Sequence, residues 1–190
     1  MKRRERLKPI VERIGLPFVT VNSNVSTFYQ GWRFQATHTP RNTSVALLLQ
    51  QGIGRFLYVS TYSYSDIYVD KTDDIAHADP VILPLLLTTE LDVLAVGSEY
   101  TRPEKALQVA EIPDSYRVLD VCIRQSSVGN CSRCEKCQRT LLTLEIAGLL
   151  ERYEDVFDLG AYRRAREVYC EGDSEQQSVC PGDRFLCPGS

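Results

Sequence analysis

Residues 130–140 read NCSRCEKCQRT, three cysteines at two-residue gaps with basic residues between and just after them. Three thiols so close need a fourth group to hold one ion, and the nearest upstream candidate is Cys122, in VLDVCIRQSSVGNC. The full arrangement is C-x8-C-x2-C-x2-C: Cys122, Cys131, Cys134 and Cys137. Four thiolates form a closed tetrahedral shell for zinc, as in structural rather than catalytic sites. Two residues between ligands let a tight turn carry both sulfurs to one ion while its N–H groups point at the thiolates. An iron–sulfur cluster is the competing occupant, since four cysteines also ligate clusters. The third reading is unmetallated core thiols, which a four-cysteine pattern of this spacing disfavours. Arg124, Arg133, Lys136 and Arg139 stand where they can offset the dianion left by four thiolates around a divalent ion.

Working outward, composition bounds the rest. The chain has 190 residues, 43% of them hydrophobic and 25% charged, which describes a folded globular protein of one domain, with or without a small appendage. A formal charge of −3 gives no general reason to expect a polyanion, so nucleic acid is an unlikely partner. The basic start, MKRRERLKPI, is followed by no apolar stretch or cleavage site of the secretory kind. Leu7, Ile10, Val11 and Ile14 recur at helical spacing, which makes Lys2, Arg3, Arg4 and Arg6 the solvated end of a helix. VILPLLL is short and broken by Pro84, so no membrane span is expected and a cytoplasmic location is. Seven cysteines in such a chain favour a metal over a disulfide framework. Cys170, Cys180 and Cys187 are too widely spaced for a knuckle; free thiols, an adventitious disulfide or a second metal site stay open.

The organisation reads as α/β. LPFVTVN (16–22), RFLYVS (55–60) and LDVLAVG (91–97) are short, β-branched runs of the buried-strand kind. TSVALLLQQGIG (43–54) reads as a helix capped by Asn42 or Thr43 and stopped by Gly52. Strand, helix, strand with short joints predicts a βαβ unit and a parallel sheet. Residues 61–84 read as a long loop. Thr101 to Glu104 form a capping box with Pro103 in the first turn, opening a helix to about Glu111. YRVLDVC (116–122) reads as a strand ending in the first cysteine, and helices follow over 135–148 and 161–170. From Glu171 the Gly/Pro/Ser-rich chain reads as a loose tail. The expected division is a partial Rossmann-like domain over 1–121, a knuckle with helices over 122–170 and the tail over 171–190. Ligands of open α/β sheets bind beyond the carboxyl ends of strands, where NSN (22–24) and STYSYSD (60–66) fall.

C-x8-C-x2-C-x2-C after a strand and before a helix resembles the zinc signature of 7-cyano-7-deazaguanine synthases, of the ATP-pyrophosphatase (adenine nucleotide alpha hydrolase-like) superfamily. The knuckle is similar to the NCGRCEKCLRT of uncharacterised relatives of that group. HADPVILPLLLTTE (77–90) and GSEYTRPEKALQVAE (97–111) resemble their His-Pro-Leu element and Gly…Arg…Lys helix start. The likeness spans most of 15–150, firmly at the knuckle and loosely elsewhere. It implies a Rossmann-like sheet binding ATP with magnesium, adenylate transfer to a substrate oxygen, release of pyrophosphate and displacement of AMP by ammonia or another nucleophile. By the same likeness Arg102 and Lys105 face phosphate or the activated substrate, and Ser60, Tyr62 and His77 line the substrate side; Asn24, in NSN after the first expected strand, is a further candidate nucleotide or substrate contact from its position alone. Read without the likeness, Arg102 and Lys105 are a solvated helix face, and His77 and His38 are hydrogen-bonding loop residues.

The chain departs from the family in one respect. The Ser-Gly-Gly-x-Asp-Ser loop, a nest of N–H groups for phosphate at a helix start, is absent. Gly52 and Gly54 sit at a helix end instead, where they fit a C-cap. The expectation is therefore the carboxyl-terminal part of an ATP-dependent adenylating or amidating enzyme, not catalytic alone, working with a missing N-terminal half or as a homo-oligomer on a small molecule. The alternative is a degenerate, zinc-stabilised binding or partner module without catalysis.

Overall fold

A computed structural model describes residues 3–124 and 129–166. The expected tail, with Cys170, Cys180 and Cys187, lies outside the described residues. The chain forms two compact units: Thr20–Arg102, here the α/β unit, and Met1–Val19 with Pro103–Ser190, here the cysteine unit. No described helix is long and apolar enough to cross a membrane.

In the α/β unit, helix α2 (His38–Leu48) precedes strand β1 (Arg55–Val59), and β2 (Asp92–Val96) pairs with β1 in parallel. The register sets Leu57 beside Leu94 and Val59 beside Val96. Side chains alternate across a strand, so Phe56, Tyr58, Val93 and Ala95 share the other face, packed with Ala46, Leu83 and Leu91. Leu57 (53% exposed) and Val59 (73%) look outward. The residues between the strands carry the short helix α3 (Asp79–Ile82) and 3-10 turns at Tyr64–Asp66, Ile75–Ala78 and Leu83–Leu86. They are not the plain loop expected there; Asp74 and two prolines, Pro80 and Pro84, start successive turns.

Two strand expectations need correction. Residues 16–22 form no strand; Leu16, Val19 and Val21 are exposed, and Pro17 removes one ladder donor. The parallel pair is thus β1 with β2, and α2 has no strand before it among the described residues. Helix α2 also starts earlier than Asn42, at His38 after Thr37, because Thr39, Thr43 and Ala46 lie on one helical face and all are buried. A short aromatic stretch, a 3-10 turn at Val25–Tyr29 followed by Trp32 and Phe34, leads into α2, with Trp32 69% exposed.

In the cysteine unit, α1 (Arg3–Arg13) has Pro9 inside it; of its apolar stripe, Ile10 and Val11 are half-buried while Leu7 and Ile14 stay exposed. Helix α4 (Arg102–Ala110) begins directly after Thr101, as its capping residues predict. YRVLDVC is the second corrected strand: Ser115–Val118 is a single helical turn, α5, and residues 119–124 are irregular. The N–H groups that a ladder would use at Val121 and Cys122 go instead to the side chain of Asn130. Helix α6 (Glu135–Ile146) closes on Gly148 in the left-handed conformation (φ 69°), with the Leu149 N–H on the Leu144 carbonyl at 2.8 Å. Residues 159–166 are helical and lock onto α6: Tyr162 and Arg166 both donate to the Glu145 carboxylate at 2.6 Å. Burial raises the Glu145 pKa, but those donors outweigh it and hold the group below its ordinary value.

Candidate metal centre

Cys137, Leu141 and Leu144 fall on one face of α6, so the helix that carries a thiol inward also carries the core. Cys122, Cys134 and Cys137 are buried in one cluster with Leu150, Tyr153, Phe157 and Tyr162; Cys131 packs against it half-buried. The four Sγ atoms lie within 4.8 Å of one another. Cys122 and Cys134 are 3.9 Å apart at sulfur, and Cys134 and Cys137 are 3.5 Å apart. Sulfurs at ~2.3 Å from one centre on tetrahedral corners stand about 3.8 Å apart, so these separations suit a single ion.

The backbone is arranged for anionic sulfur. The Arg124 N–H donates to Cys122 Sγ at 3.4 Å, and the Cys134 N–H to Cys131 Sγ at 3.3 Å. The N–H groups of Cys137 and Ile123 face Cys134 Sγ, and that of Ser132 faces Cys137 Sγ. Burial pushes the Cys134 thiol up, yet the backbone donors and neighbouring thiols outweigh it and lower its pKa. Burial and the Cys134 sulfur together push Cys137 far up. Four thiols packed this closely cannot all ionise unless a cation joins them, and the donor set fits one that prefers sulfur. Of the four expected counter-charges Arg139 is buried (5% exposed) and pairs with Glu135 at 3.4 Å; Arg124, Arg133 and Lys136 are exposed.

Two residues beside the cysteines, Ser132 and Asn130, which the sequence did not single out, hold the surrounding backbone. Ser132 is fully buried in the left-handed region (φ 57°); its Oγ accepts the Asp158 N–H at 2.9 Å and its carbonyl accepts Gln138 Nε2 at 2.7 Å. Asn130 bonds four backbone groups. An Asn before a cysteine and a Ser between two carry no spacing signal of their own, so these roles were not readable in advance.

The expected nucleotide and substrate residues are placed as follows. Tyr62 and His77 do meet, their rings stacked at 3.6 Å, with Tyr68 on His77 at 4.4 Å and His77 Nδ1 donating to the Asp66 carbonyl at 2.8 Å. Ser60, buried just past β1, donates its N–H to the Val96 carbonyl at 2.9 Å. Asn24 is exposed before the 3-10 turn, where its carbonyl accepts from Thr27. Arg102 opens α4 and ends the α/β unit, while Lys105 lies three residues on, in the cysteine unit.

The α/β unit also holds a polar network centred on His38, which starts a helix rather than sitting in a loop. His38 Nε2 lies 3.1 Å from Asp74 Oδ1, and Nδ1 lies 2.9 Å from the Tyr58 hydroxyl. Since a carboxylate only accepts, Nε2 carries the proton toward Asp74, and Nδ1 pairs with the phenol. Tyr62 donates to the other Asp74 oxygen at 3.4 Å. Burial raises Asp74, but His38 and the Ala76 N–H outweigh it and hold its carboxyl below the ordinary value. Asp79, fully buried, accepts from Thr39 at 2.8 Å through Oδ1 while Oδ2 has no partner among the described residues, and burial pushes its pKa up. Compared with models of protein families, with curated proteins and with solved structures, the chain matches none.

Proposed function

We infer that the four-cysteine centre is a structural zinc site and that the chain works as a zinc-stabilised binding or partner module. The observation that carries this is the closed sulfur set: four thiols, three of them buried, each facing a backbone N–H. Four protein ligands leave no position for substrate or water, which is the distinction between structural and catalytic zinc. Zinc is favoured over a cluster because a single-ion separation of sulfurs needs no bridging sulfide. Bound there, the metal supplies a rigid cross-link between residues 119–124, the turn after Asn130 and the first turn of α6. Metal analysis of protein purified under reducing conditions tests the reading; one zinc per chain is expected, and a metal-free protein of unchanged stability would overturn it.

A second reading, ATP-linked adenylyl transfer of the kind the family resemblance implies, draws on one observation. Ser60, Tyr62 and the stacked His77 gather just past the carboxyl end of β1, where parallel sheets place their ligands. In this reading the chain contributes to nucleotide-dependent chemistry without carrying it alone, since its sequence has no Ser-Gly-Gly-x-Asp-Ser loop. Calorimetry with ATP and magnesium on the zinc-loaded chain separates the two: saturable heat supports the second reading, and its absence leaves the module.

A further inference from the structure

We propose that Asn130 is the positioning residue of the four-cysteine centre, fixing Cys122 against the other three ligands. The inference rests on the metal-binding reading above.

Cys131, Cys134 and Cys137 owe their mutual placement to local structure, a tight turn running into the first turn of α6, with Cys134 as its N-cap residue. Cys122 has no such support. It lies in an irregular stretch, in neither strand nor helix, and it is separated from Cys131 by eight residues. Something must hold the far ligand at the right distance, since a ligand that is positioned only on binding costs affinity.

Asn130 stands immediately before Cys131 and its side chain reaches the backbone beside Cys122. Its Oδ1 accepts the N–H of Val121 at 2.9 Å and of Cys122 itself at 3.2 Å. Its Nδ2 donates to the carbonyl of Leu119 at 2.8 Å and of Val156 at 3.1 Å. A carboxamide has two donor hydrogens and two acceptor lone pairs, and all four are used. The orientation is fixed by the partners: turned over, the amide nitrogen would face two N–H groups and the oxygen two carbonyls. Val156 belongs to the core cluster that contains Cys122, Cys134 and Cys137. One side chain therefore joins the far ligand's backbone, the near ligands' backbone and the core. Only an amide of this length does so; aspartate keeps the accepting half and sets its second oxygen against two carbonyls.

The test compares the parent with Asn130→Ala, Asn130→Asp and, as a control, Ser115→Ala, which removes a different buried hydrogen bond of the same unit, to the Tyr153 hydroxyl (2.8 Å). Zinc affinity is read by competition with a colorimetric chelator, and the ligand set by the absorption of the cobalt(II)-substituted protein. Both Asn130 variants are expected to bind zinc on the order of 10- to 100-fold more weakly, the range for lost outer-shell partners. Their cobalt spectra should show weakened thiolate charge transfer, as one sulfur is lost from the set. Ser115→Ala should melt earlier with affinity and spectrum unchanged. Adding Cys122→Ser to Asn130→Ala should cost little more, because both act on the same ligand. If Asn130→Ala fails to fold, Asn130→Asp carries the comparison alone. Asn130 variants that bind like the parent, or a control that loses affinity equally, would overturn the proposal. A parent that takes up no metal would sink the metal reading itself, and this inference with it.

Discussion

The two units solve the same problem with different means. The cysteine unit buries a broad apolar cluster, from Ala110 to Tyr162, and three of its cysteines lie inside that cluster. In the α/β unit the fully packed apolar centre is Ala46, Leu83, Leu91 and Val93, beneath a sheet with one face outward. There the buried polar groups Thr39, Thr43, His38 and Asp79 occupy what would otherwise be core. The difference teaches where each unit is vulnerable: one through its clustered thiols, the other through a hydrogen-bond network whose partly satisfied members cost most when a partner is removed.

The largest expected effect lies in the cysteine unit. Cys134→Ser, or chelation of the parent, should abolish its cooperative melt, since a structural zinc supplies roughly 10–16 kcal/mol in comparable sites against a total of ~5–15 for a domain. Calorimetry and metal content check this together; a variant that melts like the parent with its zinc retained would erase the contrast. Next comes His38→Ala, which leaves Asp74 and Tyr58 without their shared partner and should lower stability by about 1–3 kcal/mol. Chemical denaturation measures that loss, and zinc stoichiometry should not move.

Smaller and more diagnostic is the pH dependence of the α/β unit. The Asp74 pKa is lowered on folding, so its contribution is complete above the ordinary 3.8 and is lost as pH falls below it. Asp79 is raised, so its folded form holds a proton more tightly, and its contribution fades as pH rises above 3.8 toward the raised value. Asp79→Asn should remove the second trend and leave the first, giving a variant more stable than the parent near neutrality. Denaturation midpoints across that range decide it; a parent-like slope would place Asp79 among ordinary carboxylates. The smallest effect concerns Ser132. Ser132→Gly relieves the left-handed backbone, about 1–2 kcal/mol, but drops the acceptor of the Asp158 N–H, about 1 kcal/mol, and should melt close to the parent. Ser132→Ala keeps the strain, loses the bond and should melt earlier than both.

The same contrast explains what could be read from the chain beforehand. The cysteine cluster was legible because spacing of two between thiols is itself a geometric statement, and α6 followed from Leu141, Leu142 and Leu144. β1 and β2 were legible as apolar runs, and α4 from its capping residues. LPFVTVN was not, because a strand needs a partner and composition alone cannot supply one. YRVLDVC failed for a related reason: the side chain of Asn130 took the donors a neighbouring strand would have used. The His38 network joins residues twenty and thirty-six positions apart, a kind of proximity that no local pattern encodes.

Trp32 is the chain's one tryptophan, and it stands in water at the aromatic stretch before α2. Its emission is therefore already red-shifted in the native molecule and reports on the α/β unit, while Tyr153 and Tyr162 lie hidden beside the thiols. Indole emission is thus a probe of the α/β unit. The phenols of Tyr153 and Tyr162 are the chromophores placed to report on the proposed metal.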